Sequence, residues 1–509
     1  MDTMEKDKGK TYMIIGIIIL VLALIGSTYA YYRYVFANVN VDTITRGLDY
    51  YITYAKGTDI TNKVLEPSTD YTGGNSVTVT LYKKDNSYDI YGHIYLNVTS
   101  IGTALSNSSA LRYVVTDGTN IVSRGNLKGV TASSKIPLAV NIPLNTTSTK
   151  YTVYLWFNDN ISEETSSEGQ TISASVSCEA SMKKIVGITY GNASYEIGKL
   201  YINSTKTPVS LNNVTYQYDT TNNLMTDIDN NIRYYGANPN NYIYFNCSDY
   251  KNQSSSTCET WRIIGVFDGK VKIMRGSIIG SYSWDSSASG INSGKGVNEW
   301  SQADLMKLLN SGYDSESVGG SLYWNAGSGT CYSSVSNSTK ACDFTSTGLK
   351  NDTTRNLIAE TTYYTRGHNS DSIYVNEMYD KERVSGTVIT GVTPTRTLTW
   401  TGKVAIPYSS DYGYAADLSL CQKQLGSYND VTCTANNWMK SILASNYGWL
   451  LTTESGYENA AWRVSSSGSV YYSGIAYLAY GVLPVLSLIS ELDIGSGSGT
   501  SSSLYQLSV

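Results

Sequence analysis

Histidine is nearly missing from this 509-residue chain, which has only His93 and His368. Ser-His-Asp or Cys-His catalysis needs a base beside its nucleophile, and no cysteine lies near either histidine in sequence. The Cys-x2-Cys spacing of zinc sites is also missing. So are a Gly-x-Ser-x-Gly elbow, a Walker loop and a Gly-x-Gly-x-x-Gly turn after a strand. No catalytic residue is assigned, and the chain is expected not to be an enzyme. Charge is scarce as well: Asp, Glu, Lys and Arg make up 16% of the residues, where an ordinary domain has roughly a quarter. The formal charge is -5 with a pI near 5.3, which argues against nucleic acid as a partner. Phenylalanine is rare, with 5 residues against 45 tyrosines.

Neutral polar groups fill the gap. Ser, Thr, Asn, Gly and Tyr dominate, and a tyrosine ring carries a hydroxyl that can face water. Such a surface suits an extracellular protein. The N-terminus agrees: Lys6, Lys8 and Lys10 precede an apolar run from Tyr12 to Ile25, followed by Gly26-Ser27-Thr28-Tyr29-Ala30. Lysines ahead of an apolar stretch leave the C-terminal bulk outside the cell. Tyr12 to Tyr32 is about long enough for an uncleaved membrane anchor. The same run also reads as a signal peptide with a small-residue cleavage site at Thr28-x-Ala30. Residues 1–33 are a signal-anchor or a signal peptide, and both readings stay open.

The seven cysteines fit an oxidising compartment. Six form close pairs, Cys247 with Cys258, Cys331 with Cys342 and Cys421 with Cys433. Local pairs of this kind read as disulfides closing short loops. The seventh, Cys178, ends Ile172-Ser-Ala-Ser-Val-Ser-Cys178, where apolar residues alternate with serine. That alternation puts its thiol on the core side of a strand.

Residues 34–185 are rich in alternating strands: Val77–Leu81, Tyr88–Val98, Leu111–Val115, Tyr151–Phe157 and the one ending at Cys178. Turns such as Lys83–Ser87 and Asp159-Asn160 separate them, which predicts an all-β sandwich. Residues 186–225 read as a linker with short strands. From 226 to 509 the character changes, and eight of the nine tryptophans lie there. One helix is legible at Ser301–Leu309, with a Ser-x-x-Asp start and Asn310 and Gly312 as the stop. Trp261–Phe267 and Val271–Arg275 flank Asp268-Gly269 and predict a tight hairpin. The expectation for this half is an α+β domain with local disulfides and long polar loops, such as 311–350.

The leader style, the strand pattern and the final strand Ser175-Val-Ser-Cys-Glu-Ala180 resemble the camelysin/TasA-type family of secreted β-sandwich proteins, across roughly residues 10–182. Some members assemble into matrix fibres, and members tend to be cleaved after the leader's alanine, here Ala30. Tyr31-Tyr-Arg-Tyr34 departs from that pattern and keeps an anchor open. A second resemblance covers about residues 226–509. It rests on Tyr234–Tyr242, Tyr244-Phe-Asn-Cys247, Trp261–Val266, Ser283-Trp-Asp285, Ser409–Ala415, Asn437-Trp438, Ala461-Trp462 and Tyr480–Leu486. These are similar to an uncharacterised domain family of surface proteins in Gram-positive gut bacteria, related to the C-type-lectin-like fold of formylglycine-generating enzyme. Members usually carry Arg where Leu483 stands, so this chain must hold its C-terminal strand another way. The related enzyme binds copper with a cysteine pair, whereas the cysteines here are committed to short loops.

Calcium is possible but unsupported by a complete motif. Asp227-Ile-Asp229-Asn-Asn231 starts like an EF-hand loop, then has Ile232 where glycine is needed. Asn436-Asn437-Trp438 and Glu458-Asn459 only echo the sugar-binding loops of calcium-dependent lectins. Asp380-Lys-Glu382 is the densest charge group and reads as a solvated face. The expected recognition surface is the region holding Glu458, Asn459, Trp462, Arg463 and Tyr471, since Trp, Tyr and Arg are residue types that carry binding hot spots. The expectation is an adhesin-like, envelope-attached or secreted protein whose partner is a host or envelope glycan or protein, with self-association open. A structural fibre subunit is the alternative, and an enzyme of the formylglycine type stands third. The chain ends without a Leu-Pro-x-Thr-Gly signal, so attachment is expected through the N-terminal helix or by assembly.

Overall fold

Alternation of small β-branched and polar residues makes Asn75–Lys83 a strand, with Val77, Val79 and Leu81 buried and Thr78 and Thr80 half-buried between them. It belongs to a computed structural model that describes residues 44–46, 50–54, 60–65, 67–108, 110–158, 170–286, 296–335, 337–383, 397–490 and 492–509. The apolar run at 12–25 and the turn at Asp159-Asn160 lie outside the described residues. Among those described, no helix is long and apolar enough to cross a membrane. The fold is mostly β, and the chain divides into two compact units. One is Met1–Ile185 with Thr189–Gly191, the other Val186–Ile188 with Asn192–Val509.

The first unit holds two sheets. One runs in the order Ile44–Arg46, Tyr50–Tyr54, Asn75–Lys83, Thr149–Asn158, Leu111–Thr116, Ile121–Asn126, with Pro67–Ser68 added in parallel to Thr149–Asn158. The other runs Ile60–Val64, Thr171–Ser181, Tyr91–Ile101, Ser134–Pro143. Gly92 marks where the sheets press together, since a Cβ there would meet Leu81 Cδ1 at 2.9 Å. Cys178 lies opposite Ile94 in the second sheet and is fully buried, as its alternation predicts. The strand expected at Tyr88 starts later, at Tyr91. The turn before it is extended by an Asp85 carboxylate that accepts the Ser87 N–H.

His93, on the same strand, is 1% exposed. Its Nδ1 accepts the Asn141 N–H at 3.1 Å, so the proton sits on Nε2, 2.8 Å from the Ser181 hydroxyl. Burial, with Lys135 adding to it, depresses its pKa to about 4.

The second unit is built on a nine-stranded antiparallel sheet. Its order is Thr207–Leu211, Val214–Asp219, Leu224–Thr226, Ile232–Tyr234, Glu259–Phe267, Lys270–Arg275, Val485–Ser487, Val404–Ala405, and Tyr242–Phe245 also pairs with Glu259–Phe267. The hairpin Glu259–Phe267/Lys270–Arg275 turns at Asp268 and Gly269, both at positive φ, as its tight turn demands. Gly265 sits at the hairpin's bulge, where a Cβ would meet the Ile232 carbonyl oxygen at 2.0 Å. Trp261, Ile263, Val271 and Ile273 of this hairpin are buried in the unit's core.

Of the segment read as a linker, 186–225, all but Thr189–Gly191 belongs to this unit. It carries the helix Ala193–Asn203, capped by Asn192, which accepts the Tyr195 N–H at 3.1 Å. Ala193, Ile197 and Tyr201 bury one face at i, i+4, i+8 spacing. Tyr195 and Gly198 between them had obscured that period. A second difference concerns the helix read at Ser301. Its first turn is a 3-10 turn, Trp300–Gln302, capped by Glu299, and the α-helix begins only at Asp304 after Ala303. Glu299 takes the capping role because its carboxylate accepts from both the Ser301 N–H and hydroxyl. The loop expected over 311–350 contains a hairpin, Ser328–Ser334 with Ser338–Asp343.

Leu483 is fully buried among apolar neighbours. The strand after it, Val485–Ser487, is held by pairing on both edges, to Lys270–Arg275 and to Val404–Ala405. All three cysteine pairs are disulfides, with sequence separations of 11, 11 and 12. Closing a loop of that length restricts the unfolded chain by roughly 2–3 kcal/mol. Replacing Cys421 and Cys433 together by serine is therefore expected to lower the unfolding free energy by about that much. Denaturant titration followed by tryptophan fluorescence measures it, because eight of nine tryptophans report on this unit.

Candidate functional site

Behind the candidate surface stands a three-stranded sheet, Trp449–Thr453, Ala460–Val464 and Val470–Ile475. Trp449 lies opposite Arg463, and Arg463 opposite Tyr471. Side chains alternate along a strand, so Trp462 faces the other way. It is 0% exposed, packs among Leu450, Val464 and Leu483, and donates its indole N–H to the His368 carbonyl at 2.9 Å. Trp462 therefore belongs to the core and is closed off from solvent, which corrects the expectation that placed it on the contact surface.

Arg463 is different. Its guanidinium carbon lies 5.0 Å from the Tyr480 ring, 5.2 Å from Tyr447 and 5.8 Å from Tyr471. Those distances are within cation–π range. Tyr480 leans edge-on against Trp449 at 4.7 Å, which joins the cluster to the core. Tyr447 and Tyr471 are 43% and 37% exposed, so the cluster opens to solvent on their side. Tyr447 holds φ 52 and ψ 57, left-handed backbone that costs a bulky residue about 1–2 kcal/mol. Asn or Gly would fill that position more cheaply. The Ser466 hydroxyl donates to the Tyr447 hydroxyl at 3.2 Å.

Several other arginines of this unit have acceptors. Arg275 forks onto Glu259 at 2.9 and 3.2 Å. Arg233 bridges Asp227 at 2.6 Å and Asp411 at 2.9 Å. Arg383 meets Glu382 at 2.9 Å. Arg262 stacks on Tyr242 at 3.6 Å and donates to Asn241. The Nε and Nη1 of Arg463 are buried and have no hydrogen-bond acceptor.

Glu458 and Asn459 lie elsewhere. They form the turn before Ala460–Val464, at least four residues from Arg463, which is roughly 13 Å along a strand. Their carbonyls accept the Asn298 and Ala476 N–H groups, which fixes the loop. Of the five expected ligand contacts, Arg463 and Tyr471 come together. Tyr447 and Tyr480 complete the cluster and had no signal in local spacing. Only the Tyr447-Gly448 pair, a turn-like dipeptide, hinted at an unusual backbone.

The remaining candidates resolve into structural roles. Asp227 accepts the N–H groups of Asp229 and Asn231 and pairs with Arg233, so the EF-hand-like start is a turn with its carboxylate committed. Asn437 is likewise engaged, by the Tyr412 carbonyl and the Met439 N–H. Glu382 is not on a solvated face. On the helix Val375–Arg383 it shares the buried side with Val375 and Met378, and it accepts from the Ser410 N–H and hydroxyl and from Thr452. Burial raises its pKa, with Arg383 opposing. His368 is half-buried, and burial lowers its pKa, aided by Lys381. Among the described residues, no three His, Cys, Asp or Glu side chains are placed to share a metal ion.

Comparison with family models finds no match, and comparison with curated proteins finds none either. The chemistry of Arg463 and its tyrosines is what remains to indicate a role.

Proposed function

We propose that the chain is an extracellular, adhesin-like binding protein, envelope-attached or secreted, whose second unit is a C-type-lectin-like recognition module. The observation that carries this reading is the Arg463 cluster, a guanidinium with buried donors lacking acceptors, beside two exposed tyrosines. Tyr and Arg are the residue types that dominate binding hot spots, because they combine large contact area with directional polar groups. The lectin-like assignment draws support from an α+β unit whose beginning meets its end. The Ala193 N–H donates to the Leu492 carbonyl, and the Tyr244 N–H to that of Tyr505. Three disulfides favour an oxidising compartment. The role requires no catalysis and no metal.

The test is a screen of the full-length, oxidised chain on glycan, mucin and matrix-protein arrays, with and without calcium. Reproducible binding that Tyr471→Ala weakens tenfold or more, with the unfolding midpoint unchanged, is the expected result. A blank array from folded protein overturns the reading. If the chain then elongates with concentration, the role passes to a fibre subunit.

A further inference from the structure

We infer that the Cys247–Cys258 disulfide latches a strap, residues 504–508, and that its reduction releases this strap from the edge of the second unit's sheet. The latch works whatever ligand that unit takes, and so goes beyond the binding role proposed above.

The strap fills a slot in the sheet. The Tyr505 N–H donates to the Tyr242 carbonyl at 3.0 Å, and the Tyr505 carbonyl accepts the Tyr244 N–H at 2.9 Å. Strand Tyr242–Phe245 spends its other edge on Glu259–Phe267. Tyr505 and Leu507 are buried in the core that also holds Ile243 and Phe245. Taking the strap away therefore bares backbone groups of Tyr242 and Tyr244, an open edge able to accept another strand.

The strap has little hold of its own. Its hairpin partner is Asp493–Ser496, with Ile494 opposite Leu507. A two-stranded hairpin is marginal in water unless it packs on something else. The chain leading into the strap, residues 495–503, contains only Gly, Ser and Thr. Such a run brings no apolar side chain to the core and regains much conformational freedom on release. Docking decides whether the strap stays.

Gln253 supplies the grip. Its carboxamide behaves like one more strand: Oε1 accepts the Leu507 N–H at 3.0 Å, and Nε2 donates to the Leu507 carbonyl at 2.6 Å. Nε2 also donates to the Tyr250 carbonyl at 2.9 Å, which orients the amide from within its own loop. That loop, 248–257, is the one closed by Cys247 and Cys258. A side-chain pair is worth its ordering entropy only where the backbone beneath it is fixed, and the disulfide fixes it. A dithiol delivers two electrons and two protons to the Cys247–Cys258 bond. Two thiols form, and the dithiol leaves as its own disulfide. The other bridges are placed differently. Cys331 and Cys342 join strands that already pair with each other. The Cys421–Cys433 loop is anchored by main-chain bonds, from the Leu425 and Gly426 N–H groups to the Ile373 and Asp371 carbonyls.

The experiment is amide hydrogen exchange by mass spectrometry on the full-length chain, with strand Glu259–Phe267 as the internal reference. In Cys247→Ser/Cys258→Ser, exchange across 504–508 is expected to accelerate tenfold or more while the reference strand keeps its protection. Gln253→Ala, which retains the disulfide, should accelerate Leu507 by a similar factor. Dithiothreitol should reproduce the serine pair's effect in the wild type, and re-oxidation should reverse it. Cys421→Ser/Cys433→Ser should leave the strap protected. Unchanged exchange at 504–508 in either the Cys247/Cys258 serine pair or Gln253→Ala overturns the inference. So does equal acceleration in the Cys421/Cys433 variant, which would mean general loosening. Loss of the reference strand's protection along with the strap's overturns it too, because the bond would then hold the whole unit. A bond that dithiothreitol opens only on global unfolding has the same consequence.

Discussion

Replacing Asp411 by asparagine is expected to destabilise the second unit by about 3–5 kcal/mol, the usual penalty for removing one member of a buried ionic group. Asp411 lies fully buried between two cations, Lys272 at 2.5 Å and Arg233 at 2.9 Å. It also accepts the Tyr408 N–H at 3.0 Å, at the start of the helix Ser409–Tyr414. Burial alone would raise its pKa. Lys272 and Arg233 outweigh that and bring it down to about 2. Asparagine keeps the shape and the N–H acceptor but leaves Lys272 with no carboxylate and Arg233 with Asp227 alone. Equilibrium denaturation followed by tryptophan fluorescence gives the number, and a loss below about 1 kcal/mol, the scale of an exposed pair, would sink the account. The same group predicts an acid limb. A depressed carboxylate stabilises the folded state above its unfolded pKa, near 3.8, and that contribution is lost as pH falls toward 2. The Asp411→Asn variant should lack this limb.

The network shows what a sequence conceals. Asp227 and Arg233 share one hairpin, but Lys272 and Asp411 come from two further segments, and only the folded sheet brings the three together. In sequence Asp227 reads as the start of an EF-hand-like loop, and nothing local links it to Lys272 or Asp411. Glu382 misled for the same reason, since its neighbours Asp380 and Lys381 made it look solvated while helical spacing turned it inward. Local patterns fared better. Val77–Leu81, the strand ending at Cys178, the Asp268-Gly269 hairpin and the three disulfides all follow from period, turn chemistry or spacing within a dozen or so residues. The helix at Ala193 escaped because its apolar stripe is narrow and interrupted. The candidate site was half legible. Arg463 and Tyr471 share a hairpin and fall together, whereas Tyr447 and Tyr480 arrive from other elements, and Trp462 lies inside by the alternation that puts its neighbour Arg463 outside.

His93 makes the first unit acid-sensitive in a different window. Its Nδ1 serves as an acceptor for the Asn141 N–H only while the ring is neutral. Protonation puts a second donor against that N–H and places a charge in a site that burial and Lys135 already make hostile to one. The folded pKa of about 4 lies below the ordinary 6.5, so the unfolded state binds the proton first. Stability is full above pH 6.5 and is lost progressively as pH falls to 4, by ~3 kcal/mol if the whole shift is realised. Asp411 contributes little in that range, because it stays largely ionised in both states until pH nears 3.8. Cys178 supplies the readout. It is outside the three disulfides, fully buried, and one residue from Glu179, which lies opposite His93 across the strand pair. Its reaction with a pyridyl disulfide, which labels thiols at acid pH, reports opening of the first unit and should accelerate between pH 6.5 and 4. Asparagine at position 93 places an amide oxygen near the Nδ1 position and cannot titrate. In His93→Asn the acceleration should vanish while the neutral-pH rate stays low. An equal acid response in wild type and His93→Asn would assign the sensitivity to some other group and remove His93 from the account.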